Sequence, residues 1–293
     1  MCSITSSCFP EEMKILLTND DGYYAKGIKV LAKIMSKEGD VTVVAPKRHQ
    51  SGMGMAVSLG LKPLAYKDLG ITDGVKWSYL DATPASCIKY ALNYDFETGA
   101  PDVIVCGINH GSNASTAACY SGTLGAAEEG AINGITSIGV SVDDVRPDAS
   151  FESVEKFFPE IFRSLVEKSR PGDGVYYNVN FPDLPPEKIK GIRVCTMGKG
   201  RWIKELVEWD PEVFRQRGIP PEYFRGENAP KPEEGEKIYM IAGQYQDDPS
   251  NGIIADHRML AEGYITVVAH NMDTTDYIED ERLKSLGFEK DFQ

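Results

Sequence analysis

A chain of 293 residues, 42% hydrophobic and 26% charged, suffices for one large soluble α/β domain or two smaller ones. Its net charge of −13 opposes non-specific attraction to the phosphates of a long nucleic acid, although a bound cation can reverse the local sign for a small phosphate ligand. The longest apolar runs, such as "DVIVCGI", fall far short of a membrane span of ~20 residues.

The opening "MCSITSSCFPEE", residues 1–12, lacks the basic start and apolar centre of a secretory signal and reads as an N-terminal extension. "KILLTN" then predicts a buried strand, and "GIKVLAKIMSKEG" a helix that Gly39 stops. "DVTVVAP" predicts a second strand, which makes a β-α-β unit with a parallel crossover. "ATPASCIKYALNYDF" reads as a turn and a helix, and "PDVIVCGIN" as a buried strand rich in β-branched residues. "SGTLGAAEEGAINGI" follows as a small-residue helix and "SIGVSV" as a strand. This alternation across residues 13–145 predicts a doubly wound, mostly parallel sheet.

Beyond it, "FESVEKFFPEIFRSLVEKS" has amphipathic helical spacing, and "GVYYNVNFP", "GIRVCTMG" and "EGYITVVAHN" read as strands. The stretch from Lys199 to Gly252 is rich in Pro, Gly and acidic residues, with Trp202, Trp209 and Tyr223 scattered through it. It reads as an irregular segment, and such segments are functional, disordered or part of an assembly. The six cysteines, Cys2, Cys8, Cys87, Cys106, Cys119 and Cys195, form no C-x-x-C pair. They are expected to be reduced thiols, with the cytoplasm as the expected location.

In open α/β sheets, ligands bind beyond the carboxyl ends of the strands. The clusters "TNDDG", "APKRHQSG", "GINHGSN" and "YSGTLG" all follow predicted strands or open predicted helices, so the fold can bring them to one rim. Neighbouring side chains of a strand point to opposite faces, so Asp20 and Asp21 can share a cation only if the strand has ended, and Gly22 permits that turn. The other reading of the pair is an ordinary turn or helix cap. Asn109 offers a hard carbonyl oxygen to a cation, and the Asn113 amide a donor to a phosphate, unless both only shape a Gly/Asn-rich loop. Ser51 places a hydroxyl beyond the second strand.

Ser121, Gly122 and Thr123 open a helix whose free N–H groups favour an anion. Helix capping explains one of the two hydroxyls more easily than both. His110 is either a general acid or base or a bystander. With no G-x-S-x-G elbow, P-loop or D-x-D motif, the surviving chemistry is a metal-activated water attacking a bound phosphate.

"ILLTNDDGYYAKGI", "VVAPKRHQSG", "PDVIVCGINHGSN" and "YSGTLGAAEEG", in that order, closely resemble the SurE family of survival-protein nucleotidases. "LDATPASCIKYAL" and "ADHRMLAEGYITVVAHNMD" resemble two further segments of that family, and the likeness runs from Met13 to about Asp276. The resemblance implies a metal-dependent 5′/3′-nucleotidase that holds one divalent cation, Mg²⁺ or Mn²⁺, per subunit. By motif, Asp20, Asp21, Ser51 and Asn109 would be the metal ligands, with Asp20 and Asp21 catalytic. Asn19, Asn113, Ser121, Gly122 and Thr123 would lie on the phosphate side.

Residues 13–145 would then be the Rossmann-like catalytic core. Residues 146–293 would complete it and carry hairpin arms used in a homodimer or homotetramer, in a single domain overall. The alternatives are a broad acid phosphatase or exopolyphosphatase using the same site, and a non-catalytic nucleotide sensor. Ala82, Ser86, Ala114 and "TVVAHN" depart from the family pattern and bear on substrate preference, but none removes a proposed ligand.

Overall fold

Alternation explains the first strand, β1 (Lys14–Thr18). Ile15 and Leu17 enter one apolar layer, Leu16 enters the other, and all three are fully buried. The computed structural model describes residues 13–60, 63–216, 231–241, 243–287 and 289–291, so the predicted extension 1–12 lies outside the described residues. After β1 come α1 (Lys26–Met35), β2 (Asp40–Pro46), β3 (Tyr66–Thr72), β4 (Val75–Leu80), α2 (Pro84–Tyr94) and β5 (Val103–His110). A 3-10 turn (Ser115–Tyr120) leads into α3 (Gly122–Ile132), β6 (Thr136–Val142), α4 (Glu152–Lys168) and β7 (Val175–Phe181). The later elements are β8 (Ile192–Val194), β9 (Gly200–Ile203), β10 (Leu206–Glu208), α5 (Pro211–Gln216), β11 (Tyr239–Ile241), β12 (Gln244–Asp247), α6 (Asp256–Ala261), β13 (Ile265–Asn271) and α7 (Tyr277–Ser285).

Among the described residues, nine strands form one sheet in the order β3-β4-β2-β1-β5-β6-β7-β13-β8. The run from β4 to β7 is parallel throughout, while β3 and β13 pair antiparallel with β4 and β7. Ile28, Leu31 and Met35 of α1, and Val154, Phe158 and Phe162 of α4, are buried on one face of the sheet. Ile88 and Ala91 of α2, and Leu124 and Ala127 of α3, are buried on the other. The result is a doubly wound α/β fold whose core is two apolar layers flanking the parallel strands. The strand order reverses between β1 and β5, with β2 on one side of β1 and β5 on the other. Loops leaving these two strands therefore diverge and open a crevice at their carboxyl ends.

Two regions differ from the sequence reading. The sequence reading assigns no strand to residues 66–80, where the structure has the β3–β4 hairpin; "TDGV" carries its Asp-Gly turn, and Asp73 and Gly74 take φ of 52° and 80°. Within Lys199–Gly252, irregular by composition but the stretch where the family resemblance implies hairpin arms, β9 pairs antiparallel with β12 and β10 with β11, which builds a two-stranded arm. None of these arm strands is buried, so no in-and-out alternation marks them in the sequence. Tyr223 lies outside the described residues. Among the described residues, no helix is long and apolar enough to cross a membrane.

Candidate active site

At the end of β1 the chain turns at once. Asn19 Nδ2 donates to the Gly22 carbonyl at 3.0 Å, Asn19 Oδ1 accepts from the Gly22 N–H at 3.2 Å, and Gly22 takes φ of 99°. This buried Asx turn breaks the strand alternation, so Asp20 and Asp21 are no longer forced onto opposite faces of the sheet. Asp20 is buried under the start of α3, where its Oδ1 accepts from Thr123 Oγ1 at 2.8 Å and its carbonyl accepts from Gln50 N at 2.6 Å. Asp21 meets two imidazoles: His110 Nδ1 lies 3.0 Å from its Oδ2, and His49 Nδ1 lies 3.3 Å from its Oδ1. The two aspartates thus touch residues of the other three polar clusters, and all four converge at the switch point.

A local irregularity delivers Asn109. The β5–β6 register shifts between Cys106 and Asn109, and Gly107 takes φ of 138°, where a Cβ would stand 2.3 Å from the Val140 carbonyl. Asn109 is nearly buried, and its Nδ2 donates to the Gly111 carbonyl at 2.8 Å. The side-chain oxygen is therefore the atom left to act as a ligand. Ser51 is exposed in the turn that follows Gln50, whose N–H donates to the Asp20 carbonyl.

On the phosphate side, Ser121 caps α3 by accepting from Leu124 N at 3.1 Å, and Thr123 donates to Asp20. Both hydroxyls thus have structural partners, and the anion-favouring groups are the first-turn N–H groups, which have no acceptor within the helix. Gly122 is where the helix comes closest to the aspartate. A Cβ there would stand 2.9 Å from Asp20 Cβ and 3.1 Å from its Oδ2.

Asn113 faces the interior. Its N–H donates to Asn180 Oδ1, its Nδ2 to Ser141 Oγ, and its carbonyl accepts from Asn178 Nδ2, all at 2.8–2.9 Å. This pairing moors the loop after β5 to β6 and β7.

Burial first, and then the charge of Asp21, pushes the Asp20 carboxyl up to about 6. Burial also pushes Asp21 upward, but the hydrogen bonds with His110 and His49 outweigh it and hold that carboxyl at about 2. The hydrogen bond to Asp21 raises His49 in return. One aspartate is therefore firmly ionised, while its neighbour is ionised only against resistance.

Among the described residues, no three His, Cys, Asp or Glu side chains form a metal cluster. The candidate set is instead two carboxylates with neutral oxygens from Ser51 and Asn109. Hard oxygen donors of that kind suit Mg²⁺ or Mn²⁺, and a cation would offset both the burial and the Asp21 charge that raise Asp20. The residues present fit such an ion.

Four contributors carry no role in the sequence reading. His49 lies within "APKRHQSG", but nothing local to that cluster marks its ring as a partner of Asp21. Asn178 and Asn180 are fully buried, and their signal is two amides at i and i+2 in a strand-like run. Asp256, also fully buried, accepts from the N–H groups of Ser115, Gly198 and His257 at 2.8–3.0 Å, tying the 3-10 turn before α3 to the base of the arm.

Fold and site together define a Rossmann-like α/β protein with a carboxylate-based, oxygen-rich site at its topological switch point. The family model of survival protein SurE matches residues 15–204. The 5′-nucleotidase SurE of Christiangramia forsetii is 37% identical over 263 residues, 89% of this chain and 92% of that protein. That of Syntrophobacter fumaroxidans is 35% identical over 278 residues, 94% and 98% of the two chains. The crystal structure of the SurE protein from Aquifex aeolicus is similar with a TM-score of 0.72 and 31% identity, covering 93% of this chain and 99% of that one. The chain belongs to the SurE family.

Proposed function

We propose that this chain hydrolyses nucleoside 5′-monophosphates, and 3′-monophosphates as further substrates, to nucleoside and phosphate. The observation that carries the reading is the convergence of four remote polar clusters on Asp20 and Asp21 at the switch point. The curated relatives, named as 5′-nucleotidases over nearly the whole chain, support it.

Asp20, Asp21, Ser51 and Asn109 would hold one Mg²⁺ or Mn²⁺. Such an ion supplies Lewis acidity toward a phosphoryl oxygen and lowers the pKa of a water. The N-terminus of α3, at Gly122 and Thr123, receives the phosphate with backbone N–H groups and the positive end of the helix dipole. Thr123 holds the Asp20 carboxyl in place, Asn19 holds the turn that presents both aspartates, and Asn113 holds the loop that follows Asn109.

Every proposed ligand comes from residues 13–145, the proposed catalytic core, and β7, β13 and β8 extend its sheet. The β9–β12 arm, with its exposed Leu206, Tyr239 and Ile241, is the proposed contact of a homodimer or homotetramer. The described cysteines, Cys87, Cys106, Cys119 and Cys195, are all free, which supports a cytoplasmic location.

The test is phosphate release from AMP, GMP, their 3′ isomers and polyphosphate, with Mg²⁺ or Mn²⁺, by the wild type and Asp20→Asn. Metal-stimulated release from 5′-monophosphates that Asp20→Asn abolishes is the expected result. Tight nucleotide binding without release would make the chain a sensor, and preference for polyphosphate would make it a broader phosphatase.

A further inference from the structure

Asp21 is held from two sides by elements remote from each other. His110 ends β5, where its pairing with Val142 fixes its backbone, and its ring packs edge-on against Phe151 with centroids 5.2 Å apart. Besides Nδ1 at 3.0 Å, its backbone N–H lies 3.4 Å from the same Asp21 oxygen. His49 follows β2 and reaches the opposite oxygen of the carboxylate. Among the described residues, the far nitrogen of His110, Nε2, is buried without a partner, so Nδ1 is the nitrogen suited to carry the proton toward Asp21. A carboxylate with a ring nitrogen against each oxygen cannot turn about its Cβ–Cγ bond without breaking at least one of these contacts.

We propose that His49 and His110 are positioning residues which fix the plane of the Asp21 carboxylate and so set how tightly this chain's oxygen set takes a divalent cation. The inference rests on the metal site proposed above. Neither imidazole need touch substrate, because each acts through Asp21. Partners that orient a ligating side chain typically change metal affinity by about 10–100-fold when removed. His110 makes the shorter contact, is the better buried and adds a backbone donor, so its loss has the larger effect.

The experiment is titration of chelator-treated, full-length protein with Mn²⁺. Free Mn²⁺ is followed by electron paramagnetic resonance, and phosphate release from AMP is measured across the same Mn²⁺ range. His110→Ala is expected to weaken Mn²⁺ binding by at least about tenfold, and His49→Ala by less. His110→Asn, whose amide can place a donor near the former Nδ1, is expected to restore most of the affinity. Activity lost by His110→Ala at low Mn²⁺ should return as Mn²⁺ is raised.

Circular dichroism and thermal melting identify folded variants, and His49→Ala tests the proposal independently if His110→Ala does not fold. Unchanged Mn²⁺ affinity in both folded alanine variants would overturn the proposal. So would a loss of kcat that persists at saturating Mn²⁺, which would give the imidazole a direct part in the reaction. Wild-type Mn²⁺ binding that Asp20→Asn leaves intact would overturn the metal site itself, and the bracket with it.

Discussion

Replacing Gly122 by alanine adds one methyl group at the point where α3 meets Asp20. Gly122 does not lie in the left-handed region, so alanine can adopt its backbone and the contact alone decides the outcome. The new carbon would stand 2.9 Å from Asp20 Cβ, 3.1 Å from Asp20 Oδ2 and 3.3 Å from the Gln50 carbonyl. Ordinary contact begins near 3.4 Å, so Asp20 or the helix must move by about 0.5 Å or more. Asp20 has little freedom to yield, being buried, bonded to Thr123 through its carboxyl and to Gln50 through its carbonyl.

Overpacking of this kind destabilises by about 1–3 kcal/mol, partly offset by the up to ~1 kcal/mol by which alanine exceeds glycine in a helix. Thermal unfolding should therefore shift only modestly. Activity should suffer far more, because a displacement of ~1 Å at reacting groups can lower rates by about 10²-fold. Phosphate release from AMP with saturating Mn²⁺, read beside the melting curve, measures both effects. A folded Gly122→Ala protein with undiminished activity would refute the placement of the reaction between Asp20 and the start of α3.

Three further outcomes follow from the same geometry. In chelator at pH 7.5, Asp20→Asn should be more stable than the wild type by about 1–3 kcal/mol, measured by chemical denaturation. The sign is set by the raised carboxyl: the contribution of Asp20 to stability is full below its ordinary 3.8 and is lost as pH rises through about 6, so a neutral amide removes the penalty. Mn²⁺ affinity should be nearly constant above pH 7 and fall by up to about tenfold per unit below pH 6, with calorimetry showing proton release near pH 6. The cation must displace a proton from Asp20 there, and flat affinity down to pH 5 would contradict it. Gly107→Ala should reduce stability by at least about 3 kcal/mol, because its Cβ would press on the Val140 carbonyl in a left-handed conformation, and soluble yield and melting temperature report the loss.

The strands and helices of the core were legible in sequence because their signals are local. Ile15, Leu16 and Leu17 show a strand buried on both faces, and Ile28, Leu31 and Met35 mark one face of α1. The β3–β4 hairpin carries one local signal, the Asp73-Gly74 turn, whereas the exposed arm strands have no burial pattern to read.

For the site, residue chemistry alone singled out "TNDDG", "GINHGSN" and "YSGTLG", since adjacent carboxylates, amides after a strand and hydroxyls at a helix start carry their meaning in their type and order. What those residues touch is a different matter. Once β1 ends, the direction of Asp20 and Asp21 depends on the Asn19–Gly22 turn and on partners far along the chain. Thr123 claims one aspartate, His49 and His110 bracket the other, and Asn180 and Ser141 draw Asn113 inward. Sequence by itself therefore determined the doubly wound core and the kinds of atoms at its rim. Only the tertiary structure decided which of those atoms meet, because hydrogen bonds between remote loops depend on strand order and close packing, which no local periodicity encodes.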